Sequence, residues 1–409
     1  MDKELLITAV GNFIADKKEY YQNWVFDTPI VASNKHHKKL LKLHGIMHKL
    51  ILHFVNNFED YNQLMMLSNK VIEITRALQD VNYKVGTFRT DFVYDDKQQP
   101  KLIEITCRFA LNTLFVSSIF DAISKGYHQQ KYKDLSIINP YDNLLPYLAQ
   151  LSKTGIIYVL KGEDKKNESH FFKGIFEDAG RTVVLLHYKD IKTHVNSISK
   201  EDWIVSELTI KEIESLEIDT IKKLSQLNLI NDFRTALLIH DKQFFSVLVN
   251  QKFQEDCLSN EEIIFFKEFL IPTYNFDQRK DFWKQAKENK NNWILKHKAL
   301  GKSKSIYAGI VTPQEEWDAI FKTDLNDYVL QKWVPQQKTK GTIKNKEYND
   351  YVTGTLLFFD EYFFGLGLYR TSSYPVTNIG DDRKTVALIL DENNQENIEK
   401  YPFMNYIDS

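Results

Sequence analysis

The sequence predicts a multidomain α/β chain, and three patterns carry that reading. Apolar residues at helical spacing dominate the first eighty or so positions. Short continuous apolar runs alternate with helix-like stretches between about 153 and 235. Alternating apolar and polar runs, bounded by turn residues, supply hairpins near residue 90 and again beyond 350. At 409 residues the chain is long enough for two or three domains with a substantial core. Its 43% apolar and 26% charged content is that of a soluble globular protein. A formal net charge of −2 argues against nucleic-acid binding that rests on bulk charge. The lysine clusters at His36–Lys42 and Lys338–Lys346 read as solvated faces or loops, since acidic residues balance them elsewhere.

Residues 1–84 are expected to be helical. Leu40, Leu41, Leu43, Ile46, Met47, Leu50, Ile51 and Phe54 recur at helical spacing, as do Leu64, Leu67, Val71, Ile72 and Ile74. A hairpin follows at 85–108, with a polar turn from Asp95 to Pro100, and residues 110–128 read as a helix of mixed apolar content. A new unit begins near 153. Gly155 to Leu160, Thr182 to Leu186 and Trp203 to Val205 are short apolar runs, as expected of buried parallel strands, with a helix over 171–178. This predicts a small doubly wound, Rossmann-like domain, although no Gly-x-Gly-x-x-Gly follows its first strand. Beyond 236 come an apolar helix at Phe244–Leu248, a strand at Trp293–Lys296 that enters a loop over 298–305, and a strand at 327–335. A hairpin over 353–370 has Asp360 and Glu361 at its tip. The four parts are placed at 1–84, 85–150, 151–235 and 236–409.

The first hairpin carries the chemistry. In an extended strand alternate side chains share a face. Arg89, Asp91 and Val93 therefore point one way, and Phe88, Thr90, Phe92 and Tyr94 the other. On the return strand Glu104, Thr106 and Arg108 share a face, opposite Ile103, Ile105 and Cys107. Two carboxylates and two arginines thus gather on one surface. Magnesium wants oxygen ligands, usually one or two carboxylates plus substrate phosphates, and arginines hold phosphates from the side. The competing reading is a solvated sheet face with ordinary ion pairs. Two cysteines, Cys107 and Cys257, make no disulfide framework, and no Cys/His spacing suggests zinc. His36 and His37 lie in a lysine-rich stretch and are expected at the surface. Met1 to Asn12 lacks the pattern of a signal peptide, and no apolar run approaches a membrane span, so a cytoplasmic location is expected by default.

Together these pieces resemble the ATP-grasp superfamily, specifically its circularly permuted, glutathionylspermidine synthetase-like branch. Arg89-x-Asp91 and Glu104-x-Thr106 come first, followed by Lys242, Lys296 and Gln331, the reverse of the usual order. The resemblance spans roughly 85–112 and 236–382. It implies that Arg89 contacts terminal phosphates, that Asp91 and Glu104 bind Mg2+, and that Thr106 stands where asparagine is usual. A hydroxyl there ligates a cation more weakly than an amide oxygen. Lys242, in His240-Asp241-Lys242, is similar to the family's Asn-Lys that reaches the nucleotide phosphates. Lys296 is similar to a strand lysine that is usually followed by proline, here His297. Lys298 and Gly301 belong to the loop beyond, whose single glycine, with Lys302, Ser303, Lys304 and Ser305, fits either substitute phosphate donors or a merely basic mobile loop. Gln331, Lys332, Trp333 and Val334 resemble the hinge whose backbone reads adenine. Arg370 matches an arginine beside the transferred phosphate. Asn378, Arg108 and Asn112 are weaker matches, placed to hold a substrate carboxylate or to serve structure alone.

What the resemblance implies for function is an ATP- and Mg2+-dependent ligase. A carboxylate is activated as an acyl phosphate and joined to an amine, with release of ADP and phosphate. Its partners are small molecules, an amino acid or small peptide among the acids. Such chemistry rests on positioning and charge neutralisation and needs no side-chain nucleophile. A lid is expected, with the Gly301 loop and the stretch 336–348 as candidates. Two alternatives stand beside it: a degenerate ATP-grasp protein that serves as a nucleotide-binding sensor or scaffold, and a phosphotransferase on the same fold.

Overall fold

The computed structural model describes Thr8 and residues 23–108, 110–112, 132, 137–138, 154–163, 168–300, 305–377, 381, 383–391 and 405–408. Gly301, Asn378, most of the expected helix at 110–128 and the start of the N-terminal helical region lie outside the described residues. In chain order the strands are β1 (Ile30–Ala32), β2 (Thr87–Tyr94), β3 (Pro100–Thr106) and β4 (Ile137–Ile138). Then come β5 (Ile157–Lys161), β6 (Val183–His187), β7 (Trp203–Glu207), β8 (Asn228–Ile230) and β9 (Thr273–Asn275). After these lie β10 (Trp293–His297), β11 (Ile306–Ala308), β12 (Tyr328–Lys332), β13 (Lys338–Ile343) and β14 (Lys346–Phe359). The last are β15 (Tyr362–Gly365), β16 (Leu368–Ser372), β17 (Arg383–Leu390) and β18 (Asn405–Ile407).

They form three sheets. The largest runs β18-β1-β17-β16-β14-β2-β3, with β13 and β15 also on β14 and β4 on β17. It therefore draws its strands from the first and last parts of the described chain, β1–β4 and β13–β18, and none from between. A four-stranded antiparallel sheet runs β11-β10-β12-β9. A four-stranded parallel sheet runs β6-β5-β7-β8, which is the small α/β unit expected from the apolar runs. Its strands read as near-continuous apolar segments because helices cover them. The architecture is thus mixed α/β with several sheets.

The helix Asn34–Asn56 packs against the large sheet. Ser33 starts it, its hydroxyl accepting from the His36 amide at 3.0 Å. Leu40, Leu43, Met47, Leu50 and Phe54 form its buried stripe. The ring of His44 stacks on Phe358 of β14, centroids 3.9 Å apart, and Phe88 and Phe92 of β2 lie in the same core. On that same face, Gly354 of β14 pairs with Phe92. A side chain at Gly354 would run into the Phe92 ring, so only hydrogen fits there.

Several expectations need correction. His36 and His37 are not at the surface: both are buried at the start of the long helix, with the Tyr94 hydroxyl 3.2 Å from His36 Nε2. The helical pattern over 64–74 does not form one helix. The chain is extended at Met65, and Ser68 caps a fresh helix, Asn69–Ala77, through the Val71 amide. The stretch 336–348 is largely a β-hairpin, β13 and β14, turned by Lys344 and Asn345 with positive φ. The expected strand over 362–370 is two strands, broken at Gly365 and Gly367, whose positive φ suits glycine.

Replacing Gly354 with valine is expected to lower stability by roughly 1–3 kcal/mol through overpacking against Phe92, read as a fall in the urea midpoint with unchanged slope.

Candidate functional site

The two carboxylates of the first hairpin sit directly across from one another, Asp91 opposite Glu104 and Arg89 opposite Thr106. A bulge follows at once: Phe92 pairs with Leu102, leaving Ile103 as the extra residue. Strict alternation therefore misplaces one residue. Leu102, not Ile103, is fully buried, and the half-buried Ile103 turns its carbonyl to the Lys296 ammonium at 3.0 Å. Pairing of β14 with β2 and with β16 brings in Arg370 from the other half of the chain, since Thr355 lies opposite Asp91 and Thr353 opposite Arg370.

Asp91 is 1% exposed and held by two arginines. Arg89 Nε donates to its Oδ1 at 2.9 Å, and Arg370 Nη2 donates to its Oδ2 at 2.6 Å. Arg89 also donates to Thr106 Oγ1 at 3.4 Å and to Asn112 Oδ1 at 2.8 Å. Asn112 in turn donates to Glu168 at 3.2 Å, and the Leu111 amide donates to Glu207 at 2.7 Å. Glu207 ends β7, so the carboxyl edge of the parallel sheet abuts the segment that follows the hairpin. The polar face is thus no solvated surface; it is covered and cross-linked.

Lysines complete the cluster. Lys242 follows the π-helical turn Thr235–Ile239 and precedes the helix Phe244–Leu248. Its ammonium lies 3.1 Å from Glu104 and donates to the Leu300 carbonyl at 2.8 Å, and its backbone amide donates to the Lys298 carbonyl. Burial would raise the Glu104 carboxyl, but nearby positive charge, Lys242 foremost, outweighs it and holds the group at about 2. Lys296 of β10 reaches Ile103 and also donates to Gln331 Oε1 at 2.7 Å. Burial pulls Lys296 down to about 7 even though Glu104 and Asp91 favour its charged form. Gln331 is fixed by donating to Thr273 at 2.9 Å, while Lys332 is exposed over the Trp293 ring, and the Trp333 amide donates to the Asn292 carbonyl. Trp333 and Val334 leave the sheet beyond β12, half-buried.

Arg89, Asp91, Glu104, Thr106, Lys242, Lys296, Gln331, Arg370 and Asn112 are therefore brought together. Lys298 turns away, its ammonium lying near Asp327 and the Asn326 carbonyl. Arg108 bears electrostatically on His240 beside this group. Glu168 and Glu207 had no local sequence pattern to mark them. His240 sits two residues before Lys242, and that short spacing is the signal for it.

Arg89, Arg370, Lys242 and Lys296 outnumber Asp91 and Glu104. Among the described residues there is no group of three or more acidic, histidine or cysteine side chains placed to hold a metal. This surplus of positive charge fits a polyphosphate. A divalent cation fits together with such phosphates, which would draw Arg89, Arg370 and Lys242 away from the two carboxylates. Among the described residues no helix is long and apolar enough to cross a membrane.

The sequence matches a family model, the AnkG N-terminal domain, over residues 43–238, just under half of the chain. No curated protein matches it. Among solved structures, a glutathione synthetase-like effector from Globodera pallida, in its apo form, is similar over 95% of this chain and 98% of its own. The TM-score is 0.56 and the sequence identity 11%. At that identity the likeness shows a shared fold and nothing finer.

Two measurements probe the electrostatics. Glu104 titrates lower in the folded chain than its ordinary value of 4.5, so its contribution to stability is complete above that value and is lost as pH falls towards 2. Glu104→Gln is expected to flatten the pH dependence of the urea midpoint in that window relative to the wild type. Lys296, titrating near 7, is expected to take up a proton when phosphates bind above that pH. Calorimetry of ATP binding at pH 8 in buffers of different ionisation enthalpy should show that uptake, and Lys296→Met should abolish it.

Proposed function

We propose that the protein is an ATP- and Mg2+-dependent ligase that joins a carboxylate to an amine through an acyl phosphate, releasing ADP and phosphate. The observation that carries this reading is the convergence of four basic side chains from four stretches of chain on one facing pair of carboxylates. The fold shared with a glutathione synthetase-like protein supports it.

In this reading Arg89 and Arg370 hold the terminal phosphate from two sides, and Lys242 and Lys296 hold the phosphates nearer the nucleoside. Asp91 and Glu104 would hold Mg2+, with Thr106 beside them. The cation supplies charge neutralisation at the phosphate oxygens. Gln331 to Val334 are assigned to the adenine edge, and Lys298 and Gly301 to the phosphates, a role for which Lys298 would have to leave Asp327. Arg108, Asn112 and Asn378 are assigned to the acid substrate. Attack of one anion on another becomes feasible because positive charge is already in place and need not reorganise. The acid is an amino acid, small peptide or similar small acid. The chain acts as the circularly permuted form of the fold, with its parts at 1–84, 85–150, 151–235 and 236–409, in the cytoplasm.

One observation favours a second reading, a nucleotide-binding scaffold: both Asp91 oxygens are already hydrogen-bonded to arginines, and Thr106 is tied to Arg89. Incubation with ATP, Mg2+, pooled carboxylates and hydroxylamine decides between them. Formation of ADP, phosphate and hydroxamate, reduced at least about a hundredfold in Asp91→Asn, is the ligase outcome. Tight ATP binding without turnover is the scaffold outcome, and a phosphorylated product would indicate a phosphotransferase.

A further inference from the structure

The long helix Asn34–Asn56 meets the β14–β15 hairpin through histidines. His37 and His44 are both buried. The His44 ring lies flat on Phe358 of β14, with 3.9 Å between centroids, and 5.8 Å from the Phe88 ring of β2. The His37 ring lies 5.6 Å from Phe363 of β15, which itself lies 5.4 Å from Phe358. His48, one turn further along the helix, is 6.2 Å from His44. His37 Nε2 has no hydrogen-bond partner among the described residues, and neither ring nitrogen of His44 makes a full hydrogen bond. A neutral imidazole packs well in such a place. The same ring carrying a proton puts charge between phenylalanines.

The groups facing these rings relieve that charge only in part. On the helix, Lys38 opposes charge on His37, and His48 opposes it on His44. On the hairpin, the Glu361 backbone favours a charged His44, and the Asp360 and Glu361 carboxylates favour a charged His48. Burial dominates and holds His37 and His44 at about 4, below the ordinary 6.5. The contact therefore contributes fully above 6.5 and is lost as pH falls towards 4. Asp360 works in the opposite sense. Burial raises its carboxyl despite Lys84 and His48 nearby, so its own protonation favours the closed hairpin.

The part free to leave is β15, which among the described strands pairs with β14 alone. The turn before it is anchored: the Asp360 amide donates to the Gly86 carbonyl at 2.9 Å, and the Gly86 amide donates to Asp360 Oδ1 at 2.8 Å. The bend after it has Gly365 and Gly367 at positive φ. Asp360, Glu361 and Tyr362 wall, with His48 and Trp203, a cavity of about 690 Å3. Tyr362 belongs to β15, so departure of the strand opens one wall of that cavity.

We propose that His37 and His44 form an acid-released latch: when both take up a proton, β15 parts from the long helix, moving between the Asp360 turn and the Gly365–Gly367 bend, and the cavity opens. This device does not depend on the nucleotide-binding reading.

Amide exchange of the full chain at pH 7, 6 and 5, corrected for its intrinsic pH dependence, tests the latch. Below 6.5 each histidine adds up to about tenfold per pH unit to the opening constant, and the pair up to about a hundredfold. Exchange at Tyr362–Gly365 is therefore expected to rise at least about tenfold from pH 7 to 5, while β5 and β7 keep their protection. The double variant His37→Leu, His44→Phe keeps an apolar contact and is expected to abolish the rise. Should it fail to fold, NMR of the wild-type chain labelled in its histidine rings decides, since protonation of the two buried rings must track exchange at β15. The latch is overturned by β15 exchange that stays constant from pH 7 to 5, or that rises equally in the variant. Loss of protection shared by β5 and β7, or ring protonation without opening, overturns it as well.

Discussion

The structure turns on one buried carboxylate. Asp91 lies almost wholly out of water, and an isolated charge there would be prohibitively costly. It is tolerated because Arg89, from its own strand, and Arg370, from a strand 279 residues away, each donate to it. Removing one partner leaves the carboxylate with a single counter-charge, and removing both would leave it uncompensated in a low-dielectric place. The contact therefore ties β2 to β16 across β14, alongside the apolar packing of Phe88, Phe92 and Phe358. Architecture and candidate chemistry share the same bond.

That coupling extends outward through groups that compete for one another. Lys242 is held by Glu104, Lys296 by Gln331 and a bulge carbonyl, and Arg89 by Asn112, which leads to Glu168 at the mouth of the parallel sheet. Every basic group has a partner that a phosphate would replace. The cluster is thus preorganised in position and exchangeable in bonding, as electrostatic binding of a polyanion requires.

The polar face of the hairpin was legible in the sequence because alternation is a local property, and the apolar runs of the parallel sheet and the strand carrying Lys296 were legible for the same reason. The bulge at Ile103 was not, since a one-residue shift depends on the Lys296 ammonium and on core space for Leu102. Composition around His36 and His37 pointed to the surface, but the helix places His36 against Tyr94 of β2 and His37 against Phe363 of β15. The helix break at Met65 follows from capping by Ser68, which apolar spacing does not reveal. Glu168 and Glu207 enter only through tertiary contact. Which side chains carry charge was visible early; which of them meet was visible only where strand pairing is short in sequence.

The interleaving of the large sheet has a consequence for how the chain can be divided. β2 is flanked on one side by β3 and on the other by β14, which begins at Lys346. The stretch matched by the family model stops at 238. Cut there, Thr87–Tyr94 becomes an open edge with unmet amides and carbonyls, the kind of surface that pairs with other copies. A recognisable sequence segment is therefore not an independent folding module here. Assembly must wait for residues near 350 to arrive, so the early part of a growing chain spends its synthesis with that edge exposed.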